Sequence, residues 1–173
     1  HCSFDGDSFT PEMAAGASRV QIHGKPEFAP GLVGRAAVIG NAAAILSREA
    51  NFTVTRQGAA SLWVCPLAWD HRSDGNVTLL MTTNSTFYVQ RQGPLHGPDG
   101  RVTRHEGLQL LCLSPKTGNA CVTQGCGGWK NGEWHLLVAN WRWPRLELSV
   151  DGGPFAAAAV PRLPTEEIFG GLV

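Results

Sequence analysis

Apolar and polar residues alternate over short stretches of this chain, which is the period of β-strands. In RLELSV (145–150) every second residue is apolar, so one face of that strand is expected to be buried and the other to meet water. Six other segments are equally short, and most are rich in Leu, aromatic and β-branched residues. The predicted strands are SLWVC (61–65), NVTLLMTT (76–83), STFYVQR (85–91), GLQLLCL (107–113), EWHLLVANW (133–141), RLELSVDG (145–152) and FAAAAV (155–160).

Turn signals separate these segments. Gly-Pro-Asp-Gly stands at 97–100, Asn-Gly at 131–132 and Asp-Gly-Gly at 151–153. Strand spacings of about eight to twelve residues without long helical stretches predict an all-β fold, a two-sheet antiparallel jelly-roll sandwich. The Ala-rich segment 41–50 is compatible with a short helix, a strand or a turn. No repeat or linker divides the chain, so we expect one domain over 1–173.

Composition narrows the class of protein. The 14 Lys and Arg residues balance 14 Asp and Glu residues, which argues against a nucleic-acid partner because such proteins carry a strongly basic face. The longest apolar run, residues 155–160, is far shorter than the roughly 20 residues of a membrane-spanning helix. With 43% apolar and 16% charged residues, we expect a folded domain without a membrane span.

The cysteines point to an oxidising compartment. Cys112, Cys121 and Cys126 fall close together in a stretch rich in loop residues. No CxxC pair is present, as zinc knuckles usually require, so we expect a disulfide among these three, with the pairing open. Such a bond predicts a secreted or cell-surface protein. Cys65, within a predicted strand, is the expected unpaired thiol.

Four blocks of the sequence carry a family resemblance, and NGEWHLLVANWRWPRLELSVDGGP (131–154) is the most specific. The others are SFDGDS (3–8), FAPGLVGRAAVIG (28–40) and GAASLWVCPLAWD (58–70). Together they resemble the laminin G-like domains of the concanavalin A-like jelly rolls. The family pattern of a Gly-x-Trp-His start, a Trp-ended strand and a Val-Asp-Gly turn corresponds here to Gly132, Trp134, His135, Trp141, Val150, Asp151 and Gly152. The order and separation of the four blocks match over most of the chain.

The resemblance carries two structural expectations. Trp63 and Trp134 should be buried in the sandwich core, with His135 packed beside them. Family members usually end with another strand that pairs beside the first, but this sequence stops at FGGLV (169–173). We therefore expect a sandwich lacking its closing strand, either as part of a longer protein or with its edge covered by a second copy of the chain or another segment.

A calcium site is implied at the first block. Family members often bind calcium at the sandwich rim, and Asp5 and Asp7 match that region. Calcium takes about six to eight oxygen ligands, so two carboxylates are not sufficient alone. The alternative is that these residues form an Asx turn at the first strand.

Six residues are candidates for a sugar-binding surface. Exposed tryptophan faces stack on sugar rings, and neighbouring polar groups bind hydroxyls; the alternative is packing at the sandwich rim. The six are Trp69, Asp70, His71, Asn140, Arg142 and Trp143.

The leading interpretation is a non-catalytic extracellular module that binds a glycan or a partner protein. The second is a structural or adhesive subunit of a surface assembly, completed by a strand from a neighbour. The third is a glycoside hydrolase or lyase, for which Glu147 and Asp151 are the nearest carboxylate pair. We expect no enzyme, and calcium is the candidate cofactor.

Overall fold

The computed structural model describes residues 2–16, 20–40, 57–69, 75–81, 87–113 and 118–159, and the backbone alone of 43–46. These residues form β-strands, turns and loops, and the described part contains no helix with the length and apolar character needed to cross a membrane. The strands are β1 (Val20–His23), β2 (Glu27–Pro30), β3 (Arg35–Val38), β4 (Ala43–Leu46), β5 (Gln57–Val64), β6 (Val77–Met81), β7 (Phe87–Gln92), β8 (Leu95–His96), β9 (Val102–Arg104), β10 (Gly107–Cys112), β11 (Ala120–Gln124), β12 (His135–Arg142), β13 (Arg145–Val150) and β14 (Ala156–Ala159).

Two four-stranded antiparallel sheets dominate the fold. The first has the order β11-β10-β7-β6 and the second the order β14-β13-β12-β5, while β1-β4, β2-β3 and β8-β9 pair separately. All seven predicted strands are present, with boundaries shifted by a few residues. The prediction of an all-β antiparallel sandwich is thus confirmed at this level, and the jelly-roll connectivity stays a prediction. Ala43–Leu46, within the Ala-rich segment, is a strand.

One core joins the two sheets. The inward residues of β10 meet those of β12 and β13, and Leu110, Leu137 and Leu148 have no exposed surface. Full burial of each leucine stabilises the fold by about 1.5–3 kcal/mol. Between the sheets the rings of Phe87 and Trp141 meet edge to face, with centroids 5.3 Å apart. The sandwich is therefore closed by aromatic as well as aliphatic packing.

Turns form where the sequence predicts them. Asp151 and Gly152 have φ angles of 52° and 72°, both positive as a type I′ turn requires, and the Gly153 N–H donates to the Val150 carbonyl at 2.9 Å. At the 131–132 turn, Gly132 has a φ of 88°. The turn at 97–100 is closed by a 2.9 Å hydrogen bond from the Gly100 N–H to the Gly97 carbonyl.

The placement of two tryptophans corrects the sequence-based expectation. Trp63 is 51% exposed on the outside of β5, and Trp134 is half-buried outside the main core cluster. Trp129 and Trp141 fill the core instead, at 9% and 5% exposure. The cause at Trp63 is strand register. β5 turns its even-numbered residues inward, so its tryptophan faces out.

Candidate functional site

The second sheet has a face turned away from the core, which we call the outer face. It is formed by Trp63, Leu136, Val138, Asn140, Arg142, Arg145 and Glu147. Its position follows from the strand period, because the alternate residues of β12, such as Leu137 and Ala139, are buried in the core. Long-range pairing of β5 with β12 places Trp63 opposite Leu136.

The outer face changes character along β12. At one end Trp63 and Leu136 are apolar, in the middle Asn140 lies opposite Glu147, and at the other end Arg142 lies opposite Arg145. Six residues of antiparallel strand separate the two ends, a span of about 20 Å. The flanking strands β5 and β14 contribute small outward residues, namely Ala59, Ser61, Ala157 and Ala159.

The arginine end carries excess positive charge. The Nε of Arg145 lies 2.6 Å from Oε1 of Glu147, and the side chain of Arg145 remains 62% exposed. Arg142 is exposed and has no ion pair within the part of the chain that the structure describes. This end therefore holds two guanidinium groups and one carboxylate, and that carboxylate binds Arg145. Like charges directly opposite each other on neighbouring strands are unfavourable, so the fold itself does not account for this pair.

A second group of functional side chains lies at the end of the sandwich where β12 begins. We call it the aromatic stack, and it comprises Arg91, Trp69, Trp129, His135 and Asp151. The guanidinium carbon of Arg91 lies 5.4 Å from the ring centroid of Trp69, and the Trp69 and Trp129 rings are nearly parallel at 5.8 Å. The imidazole of His135 stacks on Trp129 at 3.8 Å. Cation–π contacts and ring stacking both favour this order.

Carboxylates fix both ends of the aromatic stack. Buried Arg91 donates from Nη2 to Oε2 of Glu106 at 2.8 Å. At the other end, Asp151 accepts from the Leu136 N–H through Oδ1 and lies 2.8 Å from Nδ1 of His135 through Oδ2. Since a carboxylate only accepts, Nδ1 carries the proton. Nε2 of His135 is buried without a hydrogen-bond partner among the described residues. The aromatic stack therefore holds the loops at this end in place.

The six predicted sugar-binding residues do not form one surface. Trp69 lies at the end where β12 begins, and its ring is already in contact with Arg91 and Trp129. Arg142 and Trp143 lie at the opposite end of β12. Asn140 and Arg142 share the outer face, and half-buried Trp143 packs against the core. Asp70 and His71 lie outside the described residues.

The two aspartates predicted for calcium both contact Arg35, Asp5 at the backbone N–H and Asp7 at the guanidinium group. Oδ1 of Asp5 accepts from the Arg35 N–H at 2.8 Å, and Oδ1 of Asp7 lies 2.7 Å from Nε of Arg35. These two contacts hold the start of β3. The Asp7 carboxylate is thus already paired with a guanidinium group, and calcium binding at Asp5 and Asp7 stays a prediction. The alternative, an Asx turn formed by Asp5 and Asp7, also stays a prediction. Across the described ranges, no group of three or more His, Cys, Asp or Glu side chains could share a metal ion.

The expected disulfide is absent, because all five cysteines are free thiols. Cys112 is buried and Cys121 exposed, since Leu111 rather than Cys112 lies opposite Cys121 and the two thiols are on opposite faces of the first sheet. Cys126 lies beyond Gln124, the last residue of β11. Opposite faces of one sheet do not permit a bond between Cys112 and Cys121, and Cys126 is a free thiol like them. Burial raises the pKa of Cys112 and of Cys126 to about 11, so both are protonated thiols.

Glu147 and Asp151, the candidate carboxylate pair for glycoside hydrolysis, are far apart and each contacts another side chain. Glu147 is on the outer face beside Arg145, and Asp151 is in the turn beside His135. Four residues of strand separate them, about 13 Å, whereas glycosidase carboxylates lie about 5–9.5 Å apart.

Sequence reasoning missed Arg145 on the outer face, and it missed Arg91 and Glu106 at the aromatic stack. Arg91 and Glu106 have no local signal, because each acquires its role only when β7 and the start of β10 come together. Trp63 was noticed but placed on the wrong side of its strand. Comparisons with family models, curated proteins and solved structures find no match to this chain.

Proposed function

We propose that this chain is a non-catalytic binding module of the cell surface or extracellular space, and that its outer face binds a glycan. The observation that carries the proposal is the 51% exposure of Trp63 on a sheet whose other side is fully packed. A large indole held on a rigid strand offers a flat apolar surface to a sugar ring, and little conformational entropy is lost on binding. The resemblance to laminin G-like domains agrees with this role.

A polar group farther along the same face supports a polar ligand. Asn140 is half-buried on the same face as Trp63, and its side-chain amide can both donate and accept. Ser61 is the next outward residue of β5 after Trp63 and is small, so it leaves space beside the indole. An apolar platform with a few fixed polar groups is typical of ligand sites.

A glycan array tests the proposal, with neutral and acidic oligosaccharides printed on the same backbones. The wild-type chain should bind a subset of members, and Trp63→Ala should lower their affinity at least tenfold with unchanged thermal stability. Leu95→Ala is the matched control, since it removes a side chain of 47% exposure from the β8-β9 hairpin. Its binding should equal wild type. If Trp63→Ala and Leu95→Ala bind alike, or no member binds, the proposal is wrong.

A second candidate, the structural or adhesive subunit, is favoured by the position of β5. Among the described strands β5 is outermost in its sheet, with β12 as its one described neighbour. Edges of this kind can pair with another chain. Sedimentation over a hundredfold concentration range separates the two candidates, because strand exchange between copies produces a dimer and a pure glycan-binding module stays monomeric.

A further inference from the structure

The two arginines of the outer face indicate the chemical class of its ligand. Arg142 and Arg145 lie directly opposite each other across the β12-β13 hairpin, with Glu147 bound to Arg145 alone. Their repulsion is unfavourable for the hairpin, and an anion placed between them would remove it. Guanidinium groups bind carboxylate and sulfate oxygens with short, charge-assisted hydrogen bonds.

We infer that the ligand is an acidic oligosaccharide that lies along β12, with a sugar ring on Trp63 and a carboxylate or sulfate at Arg142 and Arg145. This inference rests on the proposed function and adds the charge and the minimum length of the glycan. The charge follows from two guanidinium groups and one carboxylate at the arginine end. The length follows from the span of about 20 Å between the two ends of the outer face.

The shape of the face agrees with a ligand in this orientation. Asn140 and Glu147 lie between the two ends and can bind sugar hydroxyls. Both flanking strands carry small outward residues beside the middle of this face, Ala59 on β5 and Ala157 on β14. An extended chain can therefore contact Trp63 and Arg142 at once.

The experiment compares neutral, carboxylated and sulfated members of each oligosaccharide backbone, with the full chain as the probe. Acidic members should bind at least tenfold tighter than their neutral counterparts, and this advantage should shrink as salt rises. Arg142→Gln should reduce binding of acidic members about tenfold and leave neutral members unchanged. Arg101→Gln is the matched control, because Arg101 is also highly exposed but lies beside the β8-β9 hairpin. The carboxylated and sulfated members then show which anion is preferred.

The outcomes distinguish failure of the acidic-ligand inference from failure of glycan binding as a whole. Equal binding of neutral and acidic members, or equal effects of Arg142→Gln and Arg101→Gln, overturns the acidic ligand but leaves glycan binding intact if Trp63→Ala still abolishes it. Acidic fragments much shorter than the outer face that bind as tightly as long ones contradict the extended orientation. Binding of a polyglutamate peptide through Arg142, with no glycan bound, overturns both and assigns the face to an acidic protein.

Discussion

Gly58 and Trp141 lie opposite each other on β5 and β12, and the indole of Trp141 fills the position that a side chain at residue 58 would need. Trp141 is only 5% exposed and also contacts the ring of Phe87 from the other sheet. Glycine is unfavourable within a strand because its backbone loses more entropy on folding. Here the glycine makes space for the largest side chain of the core.

Gly58→Ala should destabilise the protein by about 1–3 kcal/mol. The new Cβ would overlap Cζ2 of Trp141, and overpacking a tight core forces side chains or backbone to shift by this order of energy. Urea unfolding followed by circular dichroism measures the change. Combination with Trp141→Phe should cost less than the sum of the two single changes, because a phenyl ring lacks the overlapping atoms.

Gly125→Ala is the matched control for this prediction. A Cβ at that residue meets no atom within 4 Å, so its stability should stay within about 0.5 kcal/mol of wild type. If both alanine variants are equally stable, the space beside Gly58 is not constrained by Trp141.

The sequence predicts the strand at 61–65, but it does not predict which side of that strand Trp63 occupies. In SLWVC (61–65) Leu62, Trp63 and Val64 are all apolar, so the period-2 pattern does not say which parity faces inward. The pairing of β5 with β12, which places Val64 opposite His135, decides it. That pairing joins segments some seventy residues apart, and no local pattern encodes it.

The cysteine expectation failed for a local reason. β11 (Ala120–Gln124) lies within the predicted disulfide loop, yet Ala120 and Val122 are buried and Cys121 and Thr123 exposed, which is the alternation of a strand. The nearby Gly, Pro and Asn residues indicate a loop, so this short alternating pattern does not stand out in the sequence. Recognition of the strand would have placed Cys121 on the outside, away from the other two thiols.

His135 and Asp151 were predicted only as a structural histidine and a turn residue, and their direct contact gives the second prediction. Asp151→Gly should lower the free energy of unfolding by about 1–3 kcal/mol. Glycine accepts the positive φ of residue 151, so the loss reports the two contacts of the carboxylate, to the Leu136 N–H and to His135. Chemical denaturation of the two proteins side by side measures it.

Nuclear magnetic resonance provides the independent readout for this pair. In the wild-type protein the neutral His135 ring should carry its proton on Nδ1, which a long-range nitrogen–proton spectrum distinguishes from the Nε2 form. Asp151→Asn keeps the size and an acceptor for the Leu136 N–H, so it should lose less stability than Asp151→Gly. A wild-type ring protonated on Nε2 alone would contradict the contact.

The buried thiols give the third prediction, a loss of stability at alkaline pH. The pKa of Cys112 and of Cys126 rises from 9.0 to about 11 in the folded protein, chiefly because burial disfavours the thiolate. Between pH 9 and pH 11 the unfolded chain releases these protons while the folded chain retains them. The free energy of unfolding should therefore fall as pH rises through this range, and should not depend on these thiols below pH 8.

Urea unfolding at pH 8, 9.5 and 10.5 measures that slope. The double variant Cys112→Ala, Cys126→Ala should lose part of it, whereas Cys121→Ala should keep all of it because Cys121 is exposed. A thiol reagent at pH 8 should likewise modify Cys121 in the folded protein well before Cys112 or Cys126, since Cys121 is exposed and the other two are buried. Equal rates at the three sites, or a slope unchanged in the double variant, would show that the two core thiols are open to solvent.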